Sequence, residues 1–264
     1  MKKAMDLKNK VSLVIGGGGH IGRVICETLA ELGSNVAVHD ISKEKTERVR
    51  KKIERKYKRE AIALEADLIN ESETRSIVPQ VIKNFRRLDI LVHCAAFVGT
   101  TRYPGWAEPF EKQSVDAFEA CLKVNLTSAF ILCQEAQKHL ERSKNGSIIL
   151  ISSIYGVVAP DFALYEGTKM VNPAGYGASK GGLIQLTRYL ATLFAPKIRV
   201  NAISLGGVFR NQDPKFIEKY EKKTPLGRMA KEEDIKGTIA YLASDMSKYL
   251  TGQNIVLDGG FTIW

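Results

Sequence analysis

A tyrosine and a lysine four residues apart carry the strongest chemical signal in the sequence. Tyr176 and Lys180 lie in Tyr-Gly-Ala-Ser-Lys, and Ser153 ends an apolar run, Ile-Leu-Ile-Ser-Ser, further upstream. A tyrosine hydroxyl is ordinarily a poor base at neutral pH, but a lysine one helical turn away stabilises the phenolate. A serine hydroxyl can then hydrogen-bond the reacting oxygen. The pattern indicates removal of a hydroxyl proton while a hydride leaves the same carbon.

A second Tyr-x-x-x-Lys pattern runs from Tyr165 to Lys169 and competes with the first. Pro173 follows it closely, and a proline there would break the helix needed to hold both side chains on one face. An uninterrupted amphipathic stretch follows Tyr176 instead. We therefore assign proton transfer to the Tyr176 pair and interpret 155–175 as an insertion at the substrate mouth, where Tyr165 or Lys169 contacts substrate.

A cluster of glycines follows the first strand-like run, 11–15. The segment 16–22 reads Gly-Gly-Gly-Gly-His-Ile-Gly, and a helical pattern starts at once. Glycines at such a bend let backbone amides approach a pyrophosphate, and the helix N-terminus adds its positive dipole. The expected dinucleotide contacts are Gly16, Gly19, His20 and Ile21. No partner ligand for His20 is evident, so we expect no metal site.

Two aspartates follow the next predicted strands. Asp40 comes about 20 residues after the glycines, where a carboxylate accepts hydrogen bonds from the adenosine ribose and disfavours a 2′-phosphate, which selects NAD over NADP. Asp40 could instead be an acid at the start of the next helix, although Ser42 would cap that helix equally well. Asp67 is placed to meet the adenine edge or to form a turn. Their neighbours Ile41 and Leu68 complete this group of expected cofactor contacts.

Short β-branched runs alternate with amphipathic stretches along the whole chain. The strand candidates are 11–15, 35–39, 61–65, 90–93, 147–151, 199–203 and 254–257. The helix candidates are 21–32, 43–58, 72–86, 113–141, 177–194 and 231–243. Such alternation implies parallel strands joined by right-handed crossovers. We predict an α/β, doubly wound Rossmann fold: one domain, 1–264, with a single seven-stranded parallel sheet and helices on both faces.

Three long stretches interrupt this alternation, at 97–112, 154–175 and 206–230. All three follow the carboxyl ends of predicted strands, where open α/β sheets bind their ligands. Long loops in a compact domain more often serve function than not. We expect them to build the substrate pocket.

The composition bounds the class of protein. The net charge is +10, but the segment 43–60 holds ten basic and four acidic residues, with Glu44/Arg48, Glu47/Lys51 and Glu54/Lys58 spaced as on a solvated helix. We prefer that interpretation to a polyanion-binding patch and expect no nucleic-acid partner, although a basic surface can attract a phosphorylated substrate.

No apolar run approaches the ~18 residues that a membrane span requires, so no membrane partner is expected.

The four cysteines, Cys26, Cys94, Cys121 and Cys133, lie in apolar patterns and show no CxxC spacing. We interpret them as buried free thiols of a cytoplasmic protein.

Several motifs fall in an order that resembles the classical short-chain dehydrogenase/reductase family along nearly the whole chain. They are the glycine turn, Asp67, Asn125 in Lys-Val-Asn-Leu-Thr, Ser153, the Tyr176/Lys180 pair, Asn201 in Arg-Val-Asn and Asp258 before Gly-Gly. The resemblance implies a catalytic tetrad of Asn125, Ser153, Tyr176 and Lys180, in which Asn125 anchors a water that links Lys180 to solvent. It also implies that Tyr176, Lys180, Ala95, Ala96 and Val208 contact the cofactor. A homotetramer or homodimer is implied too, with 113–141 and 177–194 as candidate interfaces.

The sequence departs from the family pattern at several points. Ile15 replaces a threonine, and 93–96 reads His-Cys-Ala-Ala in place of Asn-Asn-Ala-Gly. Changing both partners of a hydrogen bond can be nearly neutral, so we expect His93 to be a structural residue. Arg210 replaces a common cofactor-contacting threonine. It could pair with pyrophosphate or with an acidic substrate group, since its fork matches such anions, or simply face solvent.

The insertion and the glycine spacing are similar to a subgroup associated with flagellin-glycan, legionaminic-type sugar pathways. The resemblance implies an NAD-dependent enzyme that interconverts a secondary alcohol and a ketone on a small-molecule sugar or amino-sugar derivative, which Ser153, Tyr165 and Arg210 would contact. A 3-oxoacyl or keto reductase is the alternative, and a non-catalytic NAD-binding protein is a third possibility. Four apolar side chains could line the floor of a pocket for either substrate class: Phe97, Tyr103, Trp106 and Phe209.

Overall fold

All seven predicted strands form, and they lie in one parallel sheet. The computed structural model describes residues 2–99 and 102–264, so the predicted loop 97–112 includes two residues, 100 and 101, outside the described part. The strands are β1 Val11–Ile15, β2 Asn35–Asp40, β3 Ala61–Glu65, β4 Ile90–His93, β5 Gly146–Ser153, β6 Ile198–Leu205 and β7 Asn254–Leu257. Their order is β3-β2-β1-β4-β5-β6-β7. The direction of winding reverses between β1 and β4, and a ligand crevice is expected at that point.

Helices cover both faces of the sheet. They are α1 Lys2–Met5, α2 His20–Glu31, α3 Lys43–Tyr57, α4 Glu71–Phe85, α5 Val115–Leu122, α6 Ser128–Arg142, α7 Ala174–Phe194, α8 Pro214–Lys223 and α9 Lys236–Ala243. Successive strand residues point to opposite faces. In β1, Leu13 and Ile15 belong to one apolar core, and Val14 belongs to the other. The predicted doubly wound fold is confirmed.

The predicted loop 206–230 is wrong in part, because it contains α8. Pro214 opens this helix, and the side chain of Asp213 caps it by accepting a hydrogen bond from the amide of Lys215. Only Phe216 and Tyr220 are buried on its inner face. Phe216, Ile217 and Tyr220 form an apolar stripe with helical spacing directly after Asp213 and Pro214, so the sequence does carry a helix signal here that the loop prediction overlooked.

The predicted helix 113–141 is two helices, α5 and α6, joined by a π-helical turn at Lys123–Thr127. Such turns often mark functional positions, and this one contains Asn125. In the other two predicted loops, the described residues of 97–112 and residues 154–173 contain no α-helix. Their helical turns are short 3₁₀ segments, and α7 begins at Ala174.

The basic helix α3 is a solvated face, as predicted, although its ion pairs differ in part. Glu44 pairs with Arg48 at 3.0 Å. Arg50 contacts both Glu47 and Glu54, at 2.9 and 2.7 Å, and so takes the place of the two lysines that the spacing suggested.

The cysteines are free thiols, as predicted, with Cys94 half-buried and the other three buried. In the described part of the chain, no helix combines the length and apolarity that crossing a membrane demands.

Two buried histidines flank Ile15 in the sheet. Ile15 pairs in register with His39 on one side and His93 on the other. The Nε2 atom of His39 lies 3.2 Å from the carbonyl of Ala66, and that of His93 lies 2.8 Å from the hydroxyl of Ser128. Burial lowers the pKa of His39 to about 4 and that of His93 to about 3. Both side chains are therefore neutral at physiological pH, and His93 is a core residue.

These histidines should make folding sensitive to acid. Below the usual histidine pKa of 6.5, the unfolded chain binds protons that the folded chain excludes, so stability falls as pH drops from that value toward the folded pKa values. Each histidine contributes a slope of about 1.4 kcal/mol per pH unit. Urea unfolding at pH 7 and pH 5 should show a loss that is smaller in His93→Asn than in the unsubstituted protein by about 2 kcal/mol. Equal losses would show that His93 is not held neutral.

Candidate active site

A cleft of about 820 Å³ lies along the carboxyl ends of the strands. It is lined by every predicted site residue except Asn125: Gly16, Gly19, His20, Ile21, Asp40, Ile41, Asp67, Leu68, Ala95, Ala96, Ser153, Tyr165, Tyr176, Lys180, Val208 and Arg210. Residues predicted from separate motifs thus meet in one cavity. Of the four apolar floor candidates, Phe97 and Tyr103 line it. Trp106 packs against Phe97 at a ring distance of 4.8 Å, and Phe209 is exposed outside the cavity lining.

The glycine turn brings backbone very close to backbone. Gly16 has φ +76°, and a Cβ there would lie 2.7 Å from the backbone of Ala95. A Cβ on Gly22 would collide with the carbonyl oxygen of Gly16. Among the described residues, no side chain caps α2 at Gly19. The amides of the first helical turn therefore suit an anion, and the turn fits the pyrophosphate of a dinucleotide.

Asp40 stands beside this turn. A Cβ on Gly18 would lie 3.0 Å from the Asp40 carboxylate, and the Oδ1 atom of Asp40 accepts a hydrogen bond from the amide of Ser42 at 3.1 Å. Ser42 is the residue that caps α3. Asp40 is thus held at the strand end with its carboxylate toward the cleft. A Cβ on Gly18 would also lie 2.7 Å from Cβ of Lys45, so a cation shares this end of the cavity.

Asp67 forms a turn and also lines the cavity, so its contact with the adenine edge stays a prediction. Its Oδ1 atom accepts the amide of Ile69 at 3.0 Å, which makes it a turn former, and its carboxylate lines the cavity. Its Oδ2 atom lies 3.7 Å from the guanidinium of Arg102.

The end of β5 and the start of α7 hold the reactive side chains. Nζ of Lys180 donates to the carbonyl of Ile151 at 2.8 Å and lies 5.7 Å from the ring centre of Tyr176. Burial lowers the pKa of Lys180 to about 8. Burial raises the pKa of Tyr176, and a hydrogen bond with Ser153 opposes that rise. The three side chains form one unit in which a proton can be held at the Tyr176 hydroxyl.

Close packing fixes this unit. Ser152 Oγ donates to the carbonyl of Lys180 at 2.8 Å, which ties the strand to the helix. A Cβ on Gly156 would lie 2.6 Å from the carbonyl carbon of Lys180. Only a glycine lets the chain leave β5 so close to α7.

Asn125 is fully buried behind the cavity. Its Oδ1 atom accepts the amide of Phe97 at 2.7 Å, and its Nδ2 atom donates to Oγ of Ser179 at 2.8 Å and to Sγ of Cys121 at 3.2 Å. Ser179 Oγ in turn donates to the carbonyl of Tyr176 at 2.7 Å. The Asn125 side chain thus joins a loop and two helices around Tyr176. Sequence reasoning missed Ser179 and Cys121, although Ser179 lies within the Tyr-x-x-x-Lys motif.

The insertion forms a wall of the cavity. The hydroxyls of Tyr155 and Tyr165 lie 2.8 Å apart, and Nδ2 of Asn172 donates to the Tyr165 hydroxyl at 3.1 Å. Tyr165 therefore holds another tyrosine and has no lysine partner in the described contacts. Lys169 does not line the cavity within the described residues. Residues missed by sequence reasoning also line this end: Tyr155, Met170, Gln212, Phe216, Tyr220 and Met229.

The insertion is tied to α8. Lys223 pairs with Asp161 at 2.6 Å. Nζ of Lys219 donates to the carbonyls of Ala163 and Glu166, at 2.7 and 3.0 Å. The two walls of the substrate end are thus joined by three polar contacts.

Known proteins resemble this chain along nearly all of it. A family model described as enoyl-(acyl carrier protein) reductase matches residues 18–262. Post-translational flagellin modification protein A from Campylobacter coli is 32% identical over 97% of this chain and 99% of its own. A 3-oxoacyl-(acyl-carrier-protein) reductase from Aquifex aeolicus is 32% identical over 97% and 98%. The structure of a putative short-chain alcohol dehydrogenase from Sinorhizobium meliloti has TM-score 0.87 and 31% identity, covering 98% and 99%.

The glycine turn offers a matched pair of substitutions. Gly22→Ala should lower the free energy of unfolding by about 1–3 kcal/mol through overpacking and weaken NADH binding at least about tenfold, because the turn must open. Gly237→Ala in α9 meets no atom within 4 Å and should keep both properties, with stability raised by at most about 1 kcal/mol. Urea unfolding and NADH titration measure both effects. Normal NADH affinity in Gly22→Ala would refute the role of the turn.

Proposed function

The chain belongs to the short-chain dehydrogenase/reductase family of oxidoreductases, and on that basis we propose that it interconverts a secondary alcohol and a ketone with NAD(H). One observation carries the proposal. The buried Lys180 lies beneath the ring of Tyr176 beside Ser153, at one end of the cavity whose other end holds the glycine turn and Asp40.

When bound, a nicotinamide cofactor supplies or accepts the hydride. The amides of the glycine turn would hold its pyrophosphate, with His20 and Ile21 beside them. Asp40 would hold the adenosine ribose, and the other lining residues of that half would enclose the rest: Ile41, Asp67, Leu68, Ala95, Ala96 and Val208.

Tyr176 exchanges the proton with the substrate oxygen. Ser153 orients that oxygen, and its hydrogen bond eases ionisation of the tyrosine. The Lys180 ammonium lies one helical turn away and stabilises the phenolate. The family resemblance assigns to Asn125 a water through which Lys180 would exchange protons with solvent.

The substrate is a small sugar or amino-sugar derivative. The likeness to a flagellin modification protein supports this class, and so do the paired Tyr155 and Tyr165 hydroxyls at the substrate end. A 3-oxoacyl reductase is the second candidate, favoured by the apolar Met170, Phe216 and Met229 in the same wall. Turnover of a panel of sugars and acyl ketones separates the two, and turnover confined to acyl ketones would end the sugar proposal.

We also propose a homotetramer or homodimer in the cytoplasm. The proposed interface helices α5, α6 and α7 expose large apolar side chains, among them Val115 (70%), Tyr189 (60%) and Leu193 (57%). The free thiols fit a reducing compartment.

Cofactor preference is the first expected result. The Asp40 carboxylate repels a 2′-phosphate, so NADH should bind at least about tenfold more tightly than NADPH. Asp40→Ser removes that charge while Lys45 remains, and the preference should shrink or reverse. Titration followed by nicotinamide fluorescence measures both. A preference of the unsubstituted protein for NADPH would show that Lys45 dominates over Asp40.

The two tyrosine–lysine patterns can be separated by kinetics. Tyr176→Phe should lose about 10²–10⁴ of the turnover rate, the usual contribution of a general acid–base group, while it still binds NADH. Tyr165→Phe loses only its hydrogen bonds in the wall and should keep turnover within about tenfold. Steady-state kinetics with one substrate and both variants decide the assignment. A larger loss in Tyr165→Phe would reverse it.

A further inference from the structure

Arg210 is an exposed cation on the wall of the cleft, and no carboxylate pairs with it in the described part of the chain. Its side chain lines the same cavity as Tyr176 and Ser153. The other lining cations near the reaction path are engaged: Lys180 with the carbonyl of Ile151, and Arg102 with Asp67. An arginine left unpaired in a ligand cavity is a candidate anion site.

The turn that carries Arg210 is rigidly built. The Arg210 amide donates to Oε1 of Gln212 at 2.7 Å, and Nε2 of Gln212 donates to the carbonyl of Val208 at 2.7 Å. Asn211 between them adopts φ +55°. The oxygen and the nitrogen of the Gln212 amide therefore both help to fix this turn, which ends where Asp213 caps α8. The backbone of Arg210 is thus held at a fixed point of the cavity wall, from which its exposed side chain extends.

The guanidinium acts at the reacting end of the cavity. Its charge lowers the pKa of Tyr176 and that of Cys94, although burial raises both more strongly. The proposed pyrophosphate site lies nearby, at the glycine turn that Cys94 adjoins, but helix amides already serve the anion there. The insertion wall of the same cavity contributes neutral groups, the Tyr155 and Tyr165 hydroxyls among them.

We propose that Arg210 binds a carboxylate or phosphate group of the substrate, so that the substrate is an anionic hydroxy compound such as a sugar acid or a sugar phosphate. Its planar fork matches both anions with two parallel hydrogen bonds. This inference rests on the redox function proposed above and adds the chemical class of the substrate.

Matched ligand pairs test the proposal by calorimetry on the enzyme with bound NADH. Tartrate and threitol share a four-carbon chain and differ in charge, and glucitol 6-phosphate and glucitol differ by the phosphate. The charged member of at least one pair should bind about tenfold or more tightly, as one charge-assisted pair provides. If only tartrate binds more tightly than its neutral partner, the site prefers a carboxylate. If only glucitol 6-phosphate does so, the site prefers a phosphate.

Two variants distinguish a direct contact between Arg210 and the ligand from a general effect of positive charge. Arg210→Gln should abolish the difference within the responding pair. Lys215→Gln removes the same charge from an exposed residue outside the cavity and should keep the difference. Equal binding of charged and neutral ligands to the unsubstituted enzyme would overturn the proposal. So would an Arg210→Gln enzyme that loses NADH affinity yet keeps the ligand difference, because Arg210 would then serve the cofactor. Failure of the proposed redox function would appear separately, as absence of turnover with every ketone tested. The calorimetric titrations measure binding only and do not depend on turnover.

Discussion

The burial of the Lys180 ammonium is the constraint on which the site depends. A buried cation is costly unless it is hydrogen-bonded, and here the carbonyl of Ile151 accepts a hydrogen bond from it. The Ser152 contact and the absence of a side chain at Gly156 bring β5 and α7 close enough for that bond. The same closeness places Ser153 against the tyrosine hydroxyl. Burial also lowers the pKa of Lys180 to about 8, and the proposed proton relay requires a lysine that releases its proton more readily than usual.

Much of this architecture follows from local sequence patterns. The strands β1 to β7, the glycine turn and the Tyr176 motif were predictable, because each depends on periodicity or on a short motif with one physical purpose. Helix α8 was predictable too, from the spacing of Phe216, Ile217 and Tyr220 after Asp213 and Pro214, although the charged stretch was assigned to a loop. The π-helical turn was not predictable. Its apolar spacing continues that of the flanking helices, and only the network around Asn125 distinguishes it.

Long-range polar contacts were the least predictable part of the site. The bonds of Asn125 to Phe97, Cys121 and Ser179 join residues up to 54 positions apart, and no pattern along the chain signals them. The histidine in the core is a related case. His93 stands where the family pattern has asparagine, and it finds a partner in the Ser128 hydroxyl. The departure is accommodated inside the core and leaves the cavity residues in place.

The ties between the insertion and α8 have a consequence for how specificity changes. Lys219 and Lys223 hold the insertion by its backbone carbonyls and by Asp161. Neither wall can therefore be exchanged alone, because a transplanted insertion would lack the anchors that the helix offers. An engineer who wished to move this substrate preference to another scaffold would have to graft both segments together. Selection on a new substrate would have to alter them in concert.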